Sequence, residues 1–179
     1  MAPHQRQRPD HLGPLSGAPR RHLRGRLLQR RACRGRRPGR RGTMKELRVV
    51  RLEDTERVSF GPLSHYQPII GDDEGTTPVR TGIQTAEPGY VAPVHSHPYL
   101  EILHLLDGAA EAWIAGQEAH PVLLKKGDTL ALPPDTPHSF RVVGNQTLRL
   151  LGTHASPRRI VQYADGTPSD ARGYRVLAP

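Results

Sequence analysis

The stretch His95-Ser96-His97-Pro98-Tyr99-Leu100-Glu101 places two imidazoles and a carboxylate within seven positions. Imidazole nitrogen and carboxylate oxygen are donors that first-row divalent ions accept, so the stretch reads either as half of a metal site or as three polar residues that fall together. Residues two apart on an extended chain point to the same side, which groups His95 with His97. Glu101 has the same parity, with Pro98 bending the chain between them. A third imidazole, His138, follows the turn Pro133-Pro134-Asp135-Thr136-Pro137 and opens another strand-like run. Two antiparallel strands would then present all four groups to one interior. Taken singly, each histidine reads as a surface or hydrogen-bonded residue; as a spaced set they read as ligands. Three imidazoles and one carboxylate suit Fe, Mn, Zn, Ni, Co or Cu, whereas Ca and Mg prefer all-oxygen shells.

Outward from this stretch the chain is a series of short segments with strand character, at 79–86, 90–97, 100–106, 111–115, 120–124, 129–132, 138–143 and 147–154. Turn signals such as Asp107-Gly108, Lys126-Gly127-Asp128 and Gly144-Asn145 separate them. Short strands at this spacing predict an all-β sandwich or barrel. Residues 47–70 begin with a short apolar run and then turn irregular. The end of the chain reads as one helical turn around 158–163 followed by loose chain. Segment 100–106 is apolar on both sides, with Glu101, Leu103 and Leu105 on one face and Leu100, Ile102, His104 and Leu106 on the other. Such a strand is expected to be covered twice, by the barrel interior and by a second subunit, giving a homodimer. His104 should point away from Glu101; His65, His120 and His154 fall in no ligand spacing.

The 179 residues divide unevenly in charge. Residues 1–43 hold thirteen Arg, no Lys and one acid, Asp10, whereas 44–179 hold thirteen basic and sixteen acidic side chains. The net charge of +9 therefore belongs to the tail, and the folded part gives no reason to expect nucleic-acid binding. Segment 1–43 has no Val, Ile or aromatic residue and is expected to be disordered. Three readings fit it: translated GC-rich sequence ahead of a true start at Met44, a basic arm for nucleic-acid phosphates, or a targeting segment. Cys33, the only cysteine, lies there, so the folded part offers no disulfide, cysteine metal site or thiol nucleophile. With no secretory apolar region and no apolar run near a membrane span, a soluble cytoplasmic protein without membrane partners is expected.

The motif spacing resembles that of the cupins. Gly89, five residues, His95-Ser96-His97, three residues, Glu101, six residues and Gly108 reproduce their first motif. Eighteen residues later Gly127, five residues, Pro133 and then His138 follow the second. Two positions depart from the second motif: Asp135 stands for its usual Gly and Val142 for its terminal Asn. Asp tolerates a left-handed turn conformation better than most residues, so the turn should survive. The resemblance implies a single double-stranded β-helix, a jelly-roll-like barrel over 44–157 with its N-terminal strands, and an extension at 158–179. It also implies one divalent transition metal per chain on His95, His97, Glu101 and His138.

Four protein ligands leave an octahedral ion two positions for water, O₂ or a chelating substrate. A redox-active metal would suit a dioxygenase; a Lewis acid would suit an isomerase, cyclase or decarboxylase acting on a small molecule. The alternative is a non-enzymatic cupin that binds or senses a small molecule or sugar, since the fold does not choose between these. No catalytic residue is assigned. Gln84, Tyr90, Tyr99, Trp113, Arg80 and Arg141 are candidates by position to complete the site.

Overall fold

The computed structural model describes residues 47–72 and 75–177; the Arg-rich tail expected to be disordered lies outside them. After a 3₁₀ turn at Leu52–Asp54 come β1 (Val58–Ser59), β2 (Ser64–Ile70), β3 (Arg80–Ala86), β4 (His95–Ser96) and β5 (Glu101–Asp107). These are followed by β6 (Ala109–Ile114), β7 (Val122–Lys125), β8 (Thr129–Leu132), β9 (His138–Val142), β10 (Leu148–His154) and β11 (Gln162–Tyr163). Two antiparallel sheets result, ordered β1-β2-β3-β10-β5-β8 and β11-β4-β9-β6-β7. The fold is all-β, a double-stranded β-helix of the jelly-roll kind. Among the described residues no helix is long and apolar enough to cross a membrane.

Alternation sets which side chains enter the space between the sheets. Along β5, Glu101, Leu103 and Leu105 are buried, and along β10 Leu148, Leu150, Gly152 and His154 are. Sheet one contributes Ala86, Leu103, Leu105, Leu132, Leu148 and Leu150 to the core. The second contributes Ala110, Ala112, Leu124, Phe140 and Val142, so a leucine-rich face meets two alanines, two branched aliphatics and one aromatic. Leu105 and Leu148 are almost wholly buried. Three strands change character toward the same end: Leu105 and Leu103 lead to Glu101, Leu150 and Gly152 to His154, and Val142 and Phe140 to His138. The barrel thus has an apolar end and a polar end. On the outside of β5, Ile102, His104 and Leu106 are only partly buried in the single chain.

The eight expected strands all find counterparts, although of 90–97 only His95–Ser96 forms strand, and two expectations fail at the edges. Segment 64–70 is a full strand, disguised in the sequence by Pro68 and few apolar residues. The proline is tolerated because β1 pairs only with His65 and Tyr66, and the β2–β3 register breaks between Pro68 and Ile70. The helical turn around 158–163 does not form. The barrel takes the backbone groups a helix would pair within itself: Ile160 N–H donates to Tyr99 Oη, Ala164 N–H to the Val94 carbonyl, and β11 pairs with β4. Asp135, by contrast, takes the left-handed conformation expected of it, with φ of 54°, and its N–H donates to the His97 carbonyl.

Gly82 marks the tightest approach in the sheet, lying across from Gly152. A β-carbon there would come within 2.4 Å of the Tyr66 ring and 2.6 Å of the Gln67 carbonyl. Gly82→Ala should therefore cost about 1–3 kcal/mol through overpacking, seen as a lowered thermal midpoint. An unchanged midpoint would show that the Tyr66 ring is free to move aside.

Candidate metal centre

The polar end gathers residues from both sheets. His95 on β4 sits opposite His138 on β9, and their ring centroids are 4.5 Å apart. His97 follows β4, its ring 5.1 Å from that of His95, and Glu101 opens β5 in the facing sheet. One donor atom from each of His95, His97, Glu101 and His138 lies within 4.8 Å of all the others. The four come from opposed sheets rather than from two neighbouring strands.

Backbone carbonyls orient the three rings. The Nδ1 atoms of His95, His97 and His138 lie 2.7, 2.7 and 2.8 Å from the carbonyls of Pro93, Ile160 and Thr136. A carbonyl oxygen only accepts, so each Nδ1 carries the proton and each Nε2 is left as a lone pair. Those lone pairs face a carboxylate: His138 Nε2 is 3.1 Å and His97 Nε2 3.4 Å from Glu101 Oε2. His97 Nε2, His138 Nε2 and Glu101 Oε2 are buried and have no hydrogen-bond partner. Buried acceptors facing one another without a proton between them are unfavourable, and a cation placed among them satisfies all of them together. The donor set suits an intermediate transition metal, and Nδ1–H bonds to carbonyls are the usual means of orienting such ligands.

Burial pushes His95 down to about 3, because its charged form would be desolvated. At Glu101 burial acts to raise the carboxyl, but His138 and His97 outweigh it and hold the group well below the ordinary carboxylate range.

The sequence reading missed His154. It lies across from Glu101 in the β5–β10 register, with Nε2 3.6 Å from Glu101 Oε1. Its Nδ1 is buried and unpartnered, unlike those of the other three rings. Desolvation pushes it, too, down to about 3. Its position was readable, since His154 shares parity with Leu148, Leu150 and Gly152. Of the six positional candidates, Gln84 and Tyr90 line the same cavity of about 60 Å³ as His95, Glu101, His138 and His154. Tyr99 stacks on His97 and bonds the Ile160 carbonyl, while Arg80 reaches the Pro157 carbonyl and Tyr174 Oη; both anchor the C-terminal segment. Trp113 and Arg141 pack on each other away from the cavity, and Arg141 pairs with Glu111. His104 bonds Thr129 and stays out of the cluster, as its parity requires.

Residues 82–154 match the family described as the cupin domain. Among curated protein sequences none matches the chain. Solved structures share the fold at low identity. The polyketide cyclase RemF from Streptomyces resistomycificus is 18% identical over 72% of this chain and 91% of its own, with a TM-score of 0.57. A protein with a double-stranded β-helix domain from Klebsiella pneumoniae is 19% identical over 66% of this chain and 98% of its own, at 0.54. A variant of Bacillus subtilis oxalate decarboxylase is 18% identical over 64% of this chain but only 31% of its own, at 0.56.

The buried imidazoles set an acid limit. Folded-state values near 3 for His95 and His154, against an ordinary 6.5, mean that the unfolded chain binds more protons between those pH values. Stability they contribute is present above about pH 6.5 and is lost as pH falls toward 3. The lowered Glu101 adds to the loss in the acid part of that range. The urea midpoint of metal-free protein should stay level above pH 7 and fall steadily below it. A midpoint unchanged from pH 7 to 4 would mean that these rings are already charged in the fold.

Proposed function

We propose that the chain, which matches the cupin domain over residues 82–154 and shares the double-stranded β-helix fold, is a small single-domain cupin whose barrel holds one divalent transition-metal ion on His95, His97, Glu101 and His138 and binds a small molecule beside it. The carrying observation is the convergence of buried, unpartnered imidazole and carboxylate donors within 4.8 Å, with three imidazoles turned by backbone carbonyls. When bound, such an ion would polarise a carbonyl oxygen or supply redox chemistry with O₂.

An enzyme is favoured over a purely structural or sensing site by what surrounds the donors. A structural ion needs only its ligands, whereas here the cavity continues past them. His154 borders it with an unbonded Nδ1, positioned to hold or pass a proton at a bound molecule. Tyr66 and Tyr90 line the wall as phenols that burial keeps protonated. Leu103, Phe140 and Leu150 form an apolar floor that limits water around the reacting atoms. This arrangement fits Lewis-acid isomerase, cyclase or decarboxylase chemistry, with a dioxygenase following if the resident ion is iron or another redox metal.

Elemental analysis of the purified full chain should find close to one transition-metal ion per chain. Changing His97 or His138 to Ala removes a ligand and should weaken binding by at least the roughly 10–100-fold that losing a supporting contact costs. His104→Ala should leave metal content nearly unaltered. Equal losses in all three variants would point to loose surface binding and end the proposal.

The same reading includes a homodimer formed over the outer face of β5, supported by the half-buried Ile102 and Leu106. Light scattering of the full chain at micromolar concentration should give about twice 19.8 kDa. A monomer mass would remove this part of the proposal.

A further inference from the structure

Part of the cavity lining comes from residues outside the matched region, and two donors there lack partners. Arg159 lies in the C-terminal segment, with its guanidinium carbon 5.5 Å from the ring centres of both Phe60 and Tyr174. Phe60 in turn stacks on Tyr66 at 5.7 Å, with ring planes 2° apart. The backbone of Arg159 is held as tightly as its side chain. A β-carbon on Gly173, which has φ of 80°, would come within 2.1 Å of the Arg159 carbonyl oxygen. Arg159 Nη1 and Tyr66 Oη are both buried without a hydrogen-bond partner, and both residues line the cavity. The neighbouring Arg175, which also lines it, is engaged with Asp165 and Thr167. Among the described residues no carboxylate lies within ion-pair distance of Arg159, whose guanidinium instead packs on aromatic faces. Those faces attract a cation but accept none of its N–H bonds in the plane of the fork.

We propose that Arg159 and Tyr66 form a clamp for a small carboxylate, held through one or both oxygens by Arg159 Nη1 and Tyr66 Oη, with its adjacent polar group turned toward His95, Glu101 and His138. The placement of that second group rests on the metal reading above; the clamp rests on the two orphaned donors. Three considerations select the ligand class. The guanidinium offers donors and a fixed positive charge, and the phenol O–H can donate as well, so an oxyanion meets both the hydrogen bonds and the charge where a neutral amide meets only the hydrogen bonds. A divalent ion, one carboxylate and one guanidinium would leave the cavity positive, so an anion restores balance in a low-dielectric space. The cavity of about 60 Å³ exceeds what one ordered water requires, and so has room for a small organic anion.

The test uses titration calorimetry on the full chain, zinc-loaded and metal-free, with pyruvate and its neutral isostere pyruvamide as probes and metal content measured on each sample. Pyruvate should bind the zinc-loaded protein at least tenfold more tightly than pyruvamide. Arg159→Met keeps the apolar stem against Phe60 and Tyr174, and should weaken pyruvate about tenfold or more while leaving metal content and thermal midpoint in place. Tyr66→Phe should weaken it by roughly two- to tenfold. Arg159→Lys, which keeps the charge and loses the fork, should fall between the wild type and Arg159→Met. Pyruvamide binding as well as pyruvate in the wild type overturns the proposal, whether or not the variants fold. So does an Arg159→Met protein that binds pyruvate unchanged, or a zinc-loaded wild type that binds no pyruvate. Pyruvate binding that depends on Arg159 in a protein unable to hold metal would keep the clamp and remove the metal reading; the reverse pattern would separate them the other way.

Discussion

Three backbone carbonyls, those of Pro93, Thr136 and Ile160, decide which nitrogen each ring turns inward. They belong to three different parts of the chain: the approach to β4, the turn before β9, and the segment after β10. Each accepts an Nδ1 proton and so commits one Nε2 lone pair to the cavity, opposite a carboxylate from the other sheet. The donor set is therefore a property of the closed barrel: His97 and Glu101 come from one stretch, but His138 reaches the same carboxylate from β9 and the Ile160 carbonyl that turns His97 comes from beyond β10. The Asp135 N–H bond to the His97 carbonyl ties two of these parts together, and its positive φ shows why a residue tolerant of that conformation stands there.

The C-terminal segment is as much a part of this constraint as the strands. Ile160 accepts from His97 Nδ1 and from Tyr99 Oη, and its own N–H returns a bond to Tyr99. Arg80, buried at the start of β3, reaches the segment through the Pro157 carbonyl and Tyr174. A division follows between what the cupin match covers and what it leaves out. The four candidate ligands and His154 all fall within residues 82–154, whereas Phe60, Tyr66, Arg159 and Tyr163, which also border the cavity, lie before or after it. Donors for an ion come from the shared barrel; groups that would discriminate between small molecules come from flanking chain. Such division is how one fold supports unrelated chemistries.

Much of this was legible in the sequence, for identifiable reasons. Strand parity sorted Glu101, Leu103 and Leu105 from Ile102, His104 and Leu106, because one face of β5 is buried and a two-residue period survives any register. Motif spacing brought His95, His97, Glu101 and His138 together although they arise from opposed sheets. Pro68 hid β2, since a proline argues against a central strand unless the pairing around it is known to break. His154 carried the inward parity of Leu148 and Leu150 but no spacing to another ligand, and only the β5–β10 register reveals that it meets Glu101. Arg159 and Tyr66 left no local signal at all. That both line one cavity depends on the C-terminal segment packing against Phe60 and Tyr174, a non-local event that neither periodicity nor a turn motif encodes.

The cavity's lining also limits how a bound molecule could lie. It is lined by the apolar Leu103, Phe140 and Leu150, by the histidine cluster, and by Arg159 with the phenols Tyr66, Tyr90 and Tyr163. Gly152 leaves room in this lining, since a β-carbon there would meet nothing closer than 3.7 Å. Gly82, across from it, instead lets the Tyr66 ring lie directly on the sheet, so two glycines in register serve opposite ends: one leaves room and the other admits a wall. A molecule with an apolar side and polar groups at both ends satisfies all three surfaces in one orientation. Any pose that set an apolar side against the unpartnered N–H and O–H groups and left polar groups over leucine would be unfavourable on both counts. Orientation in this barrel is thus dictated by desolvation as much as by attraction, because every wall penalises the wrong group.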